Sequence, residues 1–225
     1  MQFYGQWNPP QDQVLYENYF KDKRNGFYIE CGAEAYGIES MFFEVELEWT
    51  GINIEASKYQ YAGLIKSRPN SINLNLGLSN KTGTLEFTDI VSAPGGGAIN
   101  GSFTHKDFHK ADLIRRNCVF ETYSVKVETY KNIISQNKVD TVDLFILDVE
   151  GHEVEVMEGM LDCSVIPSVL CVEYVACDFK DIETLAKKMG YIFNFFSFNN
   201  AFFSHIQRSK WFGDTGFMTY EEVLK

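Results

Sequence analysis

Apolar residues in this chain fall into short continuous runs, and the segments between those runs have helical spacing. After Pro9-Pro10, residues 11–23 place Val14, Leu15, Tyr19 and Phe20 one helical turn apart, which predicts a helix. Asn25-Gly26 marks a turn, and Phe27-Tyr28-Ile29-Glu30-Cys31 reads as a short strand. Residues 32–37 form a loop of small residues, and 40–49 a second helix. The rhythm repeats with a strand at 51–55, a helix at 58–66 ended by Pro69-Asn70, and a strand at 72–76. A turn at 80–83 then leads into a short strand at 84–87. Alternating strands and helices imply an α/β domain, a mostly parallel sheet with helices on both faces.

The second half keeps the pattern after one interruption. Residues 123–127 read as a strand and 129–137 as a helix. The run Leu144-Phe145-Ile146-Leu147 within 142–149 has the unbroken apolar character of a strand buried on both faces, and so does 169–175. Helices are expected at 153–161 and 181–189, the latter stopped by Gly190. Strands at 191–196 and 201–205 flank Asn199-Asn200 and predict a closing antiparallel hairpin. The interruption is 92–118, where Pro94-Gly95-Gly96-Gly97 and Asn100-Gly101 carry no period. A loop that long inside a compact domain is usually functional or disordered, and it reads either as a mobile cover over a site or as simple disorder. The whole chain then reads as one domain, with 1–24 as an N-terminal helical segment.

Composition narrows the partners. A net charge of -11 over 225 residues repels phosphate backbones and anionic lipid surfaces. The basic clusters Lys21-Asp22-Lys23-Arg24 and Arg115-Arg116 are short. No apolar stretch is long enough to span a bilayer, and the N-terminus lacks the pattern of a signal peptide. Cys31, Cys118, Cys163, Cys171 and Cys177 are scattered without paired spacing, which suggests reduced thiols and a cytoplasmic protein.

Three places carry candidate chemistry. Glu30 ends the first strand, and Gly32 follows, where a missing Cβ lets a ligand approach the backbone. The spacing is not that of a dinucleotide cradle, and a carboxylate there suits a cationic ligand better than a diphosphate. Glu55 ends the next strand, about twenty positions past the glycine turn, where an acid can accept hydrogen bonds from ribose hydroxyls. Asp148, Glu150 and Glu153 cluster after the buried 142–149 run, with Asp148 and Glu150 on one side if the strand continues that far. Glu153 alone suits a helix N-terminus. Glu173 ends the next strand, and the 92–118 loop holds His105 and His109. A general base would come from Asp148, then Glu150 or Glu173, then His105 or His109. Asp148, Glu150 and Glu173 also offer hard oxygen ligands, but no spacing rule demands a metal, so none is assigned.

Several stretches together resemble the FkbM-type methyltransferases. They are the 11–15 approach helix, Gly26-Phe27-Tyr28-Ile29-Glu30-Cys31-Gly32-Ala33, Trp49-Thr50-Gly51-Ile52-Asn53-Ile54-Glu55, Asn75-Leu76-Gly77-Leu78-Ser79, and Leu147-Asp148-Val149-Glu150-Gly151-His152-Glu153, the most specific of them. The resemblance covers about 11–203. It implies a Rossmann-like class I methyltransferase fold with an antiparallel C-terminal strand. It also implies S-adenosylmethionine as cofactor, and methyl transfer to a hydroxyl, often of a sugar or glycan-like acceptor. By the same resemblance Glu30, Gly32 and Ala33 line the methionine end, Glu55 holds the ribose, and Leu76 with Gly77 flanks the adenine. Gly37, Ser40, Ala56 and Asp148 complete the implied cofactor-binding set. The chain departs from the family at Glu34-Ala35-Tyr36-Gly37, where the second glycine comes one place late, and at Ala56, where proline is common. Two other readings stand beside this one. An RNA cap or ribose 2′-O-methyltransferase would need a basic trench, for which only Lys106, Lys110, Arg115 and Arg116 are available. A non-catalytic interaction domain would keep the fold without the cofactor.

Overall fold

The computed structural model describes residues 1–21, 23–93 and 101–208. Asp22 and the glycine run Gly95-Gly96-Gly97, with Pro94 and Asn100, lie outside the described residues.

A seven-stranded sheet forms the centre, in the order β3-β2-β1-β7-β8-β10-β9. Its strands are β1 (Phe27–Cys31), β2 (Thr50–Ile54), β3 (Ile72–Leu74), β7 (Leu144–Leu147), β8 (Val169–Glu173), β9 (Tyr191–Ser197) and β10 (Asn200–His205). β1 pairs in parallel with β2 and β7, β2 with β3, and β7 with β8. β10 alone runs against its neighbours β8 and β9. This is the expected mostly parallel, Rossmann-like sheet with its antiparallel C-terminal strand. The hairpin turn is Phe198-Asn199, one place earlier than read, with Phe198 in the left-handed region at φ 49°.

Strand alternation divides the core in two. Ile29, Ile52, Ile54, Phe145, Leu147, Leu170 and Val172 face one way and pack under α5 (Tyr130–Gln136), α6 (Glu153–Glu158) and α7 (Phe179–Lys188). Tyr28, Leu144, Ile146, Val169 and Cys171 face the other way, toward α1 (Gln11–Leu15) and α2 (Ile38–Leu47). The N-terminal helix is shorter than its pattern suggested, because after Leu15 it loosens into a π-helical stretch, Tyr16–Phe20. α3 (Lys58–Ser67) begins at Ser57, whose hydroxyl accepts hydrogen bonds from the Tyr59 and Gln60 amides. No helix of the described residues is long and apolar enough to cross a membrane.

The reading of the region after β3 needs correction. The 72–76 run is strand only as far as Leu74, and the two-residue β4 (Gly77–Leu78) follows it. The strands expected at 84–87 and 123–127 are longer, ten residues each: β5 (Gly83–Ser92) and β6 (Val119–Glu128). They pair antiparallel with each other, and with β4 they make a separate sheet in the order β4-β6-β5. The described part of 92–118 carries α4 (Asp107–Arg115), and Ser102 bridges back to Thr88 on β5.

Candidate functional site

Chain connections leave β1 toward β2 and β7 toward β8, so the strand order reverses between β1 and β7. The carboxyl ends of strands at such a switch point are where open α/β sheets bind ligands. Here Asp148 donates its amide to the Cys31 carbonyl at 3.0 Å, and Gly32 follows at φ 88°. A Cβ on Gly32 would overlap the Asp148 carbonyl oxygen. Glycine is therefore required to let two strand tips meet, a tighter constraint than approach by a ligand. Gly32 and Ala33 also donate their amides to the Ile54 carbonyl, at 3.0 and 3.2 Å, which ties the loop to β2.

Two cavities open at this point. The larger spans about 580 Å³ and the smaller about 290 Å³, each counted with its solvent-filled mouth. Gly32, Glu34 and Asp148 border both. The larger has Glu55, Ala56, Ser57 and Gln60 on one side and Leu76, Gly77 and Leu78 on another. Phe87 and Asp89 of β5, with Gly101 and Phe103, form its roof. Among the described residues no lysine or arginine lines it. The smaller cavity is acidic: Glu30, Glu34, Glu39 and Asp148, with Gln6, Ile38 and Ala33.

Glu55 is held rigidly. Its Oε1 accepts from the Ser57 amide at 2.7 Å and its Oε2 from the Glu34 amide at 2.8 Å. Asn75 donates to the Glu55 carbonyl at 2.8 Å and fixes the backbone. A carboxylate has about four acceptor positions, so two remain for a ligand. Burial pushes the Glu55 carboxyl up to about 7, against these two amides. Burial and the neighbouring Glu55 push Glu34 up to about 8.

The third group sits across the cleft. β7 stops at Leu147, and Glu150 turns back in the left-handed region at φ 57°, so strand alternation does not align it with Asp148 as expected. The turn brings them together instead. Asp148, Glu150 and Glu173 each offer a carboxylate oxygen within 4.8 Å of the other two. Burial, then Glu173 and Glu150, hold Asp148 well above the usual carboxylate range. Burial, then Glu150, pushes Glu173 up to about 8.

Glu153 does more than complement a helix end. Its Oε1 accepts from the Val149 amide at 3.0 Å and its Oε2 from the Gly151 amide at 3.0 Å. It thus holds the 148–152 turn from inside. From outside, Ser102 donates to the Glu150 carbonyl at 2.8 Å and Thr104 to the Gly151 carbonyl at 2.9 Å.

The remaining candidates fall in three places. Glu30 lies behind the cleft, accepts from the Ser40 amide at 3.1 Å, and faces the smaller cavity. Gly37 caps α2 in the left-handed region at φ 56°, and its carbonyl accepts from Arg68. Gly37 and Ser40 line neither cavity; they build the wall behind Glu30. His105 also lines neither; its ring centroid is 5.4 Å from that of His109, whose Nδ1 is 3.5 Å from Glu150. Ser57, Phe87, Asp89 and Phe103 were not foreseen. Asp89 is buried and accepts from Ser57 at 2.7 Å and from Tyr123 at 2.5 Å. Its acidic side chain in a strand flanked by apolar residues was the available signal.

A family model described as the methyltransferase FkbM domain matches residues 30–193. Compared with the curated proteins, the chain has no match. Among solved structures it is similar to the fibrillarin pre-rRNA processing protein of Methanococcus jannaschii, at 12% identity, covering 92% of this chain and 76% of that one, with a TM-score of 0.45. A TehB-like SAM-dependent methyltransferase from Corynebacterium glutamicum is similar at 10% identity, 81% of each chain and a TM-score of 0.42. A methyltransferase from Pyrococcus furiosus is similar at 13% identity, 81% and 76% coverage and a TM-score of 0.40. Identities and scores this low say nothing of substrate.

Proposed function

Because the chain belongs to the FkbM methyltransferase domain family, we propose that it transfers the methyl group of S-adenosylmethionine to a hydroxyl oxygen of a sugar or glycan-like small-molecule acceptor. The observation that carries the choice of a hydroxyl is the carboxylate group beside the cleft, Asp148 with Glu150 and Glu173. A hydroxyl loses a proton on methylation, and a placed base accelerates that step by about 10²–10⁴-fold.

The residues present fit the cofactor. Glu55, with two acceptor positions left over, suits the ribose hydroxyls. Leu76, Gly77, Leu78, Phe87 and Phe103 offer flat apolar walls to the adenine. Glu30, Gly32, Ala33 and Glu34, with no basic residue among them, suit the cationic methionine end. When bound, S-adenosylmethionine supplies an electrophilic methyl group on a sulfonium. The chain's own task is to orient the acceptor oxygen and to take its proton.

Asp148 is assigned as that base, because it borders both cavities. Its raised proton affinity, from burial and then Glu173 and Glu150, makes it a stronger base than an exposed aspartate. Glu150 and Glu173 set that affinity and stand as second candidates; His105 would act only through His109. Among the described residues no lysine or arginine lines the cleft, which argues against an RNA acceptor, whose phosphates would need them. A reducing, cytoplasmic setting is supported by the five free cysteines.

The test is transfer from methyl-labelled S-adenosylmethionine to a panel of hydroxyl-bearing sugars, with amine and RNA acceptors beside them. The expected product is a methyl ether, formed at least about 10²-fold more slowly by Asp148→Asn. Label appearing only on nitrogen or on RNA would overturn the reading.

A further inference from the structure

Several carboxylates in this protein have a cation of their own. Glu44 lies 2.6 Å from Arg68 Nη2, Glu128 lies 2.8 Å from Lys126 Nζ, and Lys23 pairs with Asp143. Among the described residues no lysine or arginine forms an ion pair with Asp148 or Glu173, although their carboxylate oxygens and that of Glu150 converge within 4.8 Å. His109 Nδ1 lies 3.5 Å from Glu150.

A separate observation points the same way. Glu173 is 7% exposed, and its Oε2 is buried without a hydrogen-bond partner. A buried acceptor left unsatisfied costs about 1–3 kcal/mol, and more if charged, so something is expected to occupy its front. We propose that Asp148, Glu150 and Glu173 form a binding site for a hard divalent cation of the magnesium or manganese type. All three donors are carboxylate oxygens, the set such ions prefer. Three protein oxygens leave about three positions of an octahedron for water or for hydroxyls of a ligand. The turn that carries Asp148 and Glu150 is held by Glu153, Ser102 and Thr104, so the donors are in place before an ion arrives. A cation here would also hold an acceptor hydroxyl and favour loss of its proton, taking over that task from Asp148, whose own proton affinity the ion would lower; that role rests on the function proposed above, whereas the site itself does not.

The test uses the full chain, stripped with a chelator and titrated with Mn²⁺ while free Mn²⁺ is followed by electron paramagnetic resonance. The expected result is one bound Mn²⁺ per chain, displaced by excess Mg²⁺, and about ten-fold or more weaker in Glu173→Gln. Should Glu173→Gln not fold, as judged by circular dichroism, Glu150→Gln is titrated in its place with the same expected loss. A free Mn²⁺ signal that follows total Mn²⁺ throughout, or equal affinity in the folded variant, overturns the proposal. S-adenosylmethionine calorimetry on the same samples separates the two claims. Binding of the cofactor without Mn²⁺ binding overturns the cation site alone. Binding of Mn²⁺ without the cofactor supports the cation site and removes the function proposed above.

Discussion

Two groups of acids lie on either side of the β1 tip, and they are treated differently. Behind β1, Arg68 is 2% exposed and donates to Glu44 at 2.6 and 2.9 Å, to Tyr28 at 2.5 Å and to Ser40 at 3.2 Å. Burial alone would raise Glu44, but the Ser71 hydroxyl and Arg68 pull it below its ordinary value. In the cleft, Glu55, Glu34 and Glu173 are raised to about 7, 8 and 8, each mainly by burial. The first group is closed, with its counter-charge supplied by the fold. The second is left open, so its counter-charge has to come from a ligand. Perturbed groups that gather at a strand-tip cleft are the usual mark of a working site, and their cost to stability is the usual trade.

The sharpest way to break that comparison is to remove the central group from each side. Arg68→Met should cost about 3–5 kcal/mol, because Glu44 and Tyr28 lose a buried partner. Asp148→Asn should leave stability within about 1 kcal/mol of the parent, or raise it, because it removes a carboxyl whose ionisation is opposed by burial, Glu173 and Glu150. Urea unfolding of both variants checks this, and equal losses would show that the two groups do not differ.

A smaller effect is expected from pH. The three raised carboxyls keep protons in the folded protein that the unfolded chain would release near its ordinary value of 4.5. Their contribution is therefore fully present below about 4.5 and is lost as pH rises through about 7 to 8. The ligand-free protein should melt lower at pH 9 than at pH 6, by about 2–4 °C for each kcal/mol lost. Glu55→Gln should flatten the lower part of that fall. A midpoint unchanged across the range would mean that the cleft acids titrate as ordinary surface groups.

These contrasts rest on features of unequal visibility in the chain. β1, β7 and β8 were legible because strands buried on both faces are written as unbroken apolar runs. Glu55 was legible as an acid at a strand end, since the β2 pattern fixes where the strand stops. The second sheet was not. β5 and β6 mix Glu86, Thr88, Glu121 and Thr122 among apolar positions, because much of their length is solvent-facing, and the buried Asp89 breaks the pattern further. The cleft roof of Phe87, Asp89 and Phe103 was therefore hidden. α4 was hidden too, since it buries only Leu113 and has no apolar stripe to announce it. Gly32 and Glu153 were found for incomplete reasons, because what they serve are contacts made across the chain: the Asp148 carbonyl and the 148–152 turn.

The smallest effect concerns that turn. Ser102→Ala removes the hydrogen bond to the Glu150 carbonyl and should cost about 1 kcal/mol. Unfolding measurements that show no loss would mean that the 101–104 segment only rests on the site.

The most direct measurement is calorimetry of S-adenosylmethionine binding to the parent protein and to Glu55→Gln. The account predicts one site per chain in the parent and an affinity about ten-fold or more lower in the variant, with its circular dichroism unchanged, since a hydrogen bond to a charged acceptor contributes about 1.5–3 kcal/mol. No heat with the parent protein, or the same affinity in both, would contradict it.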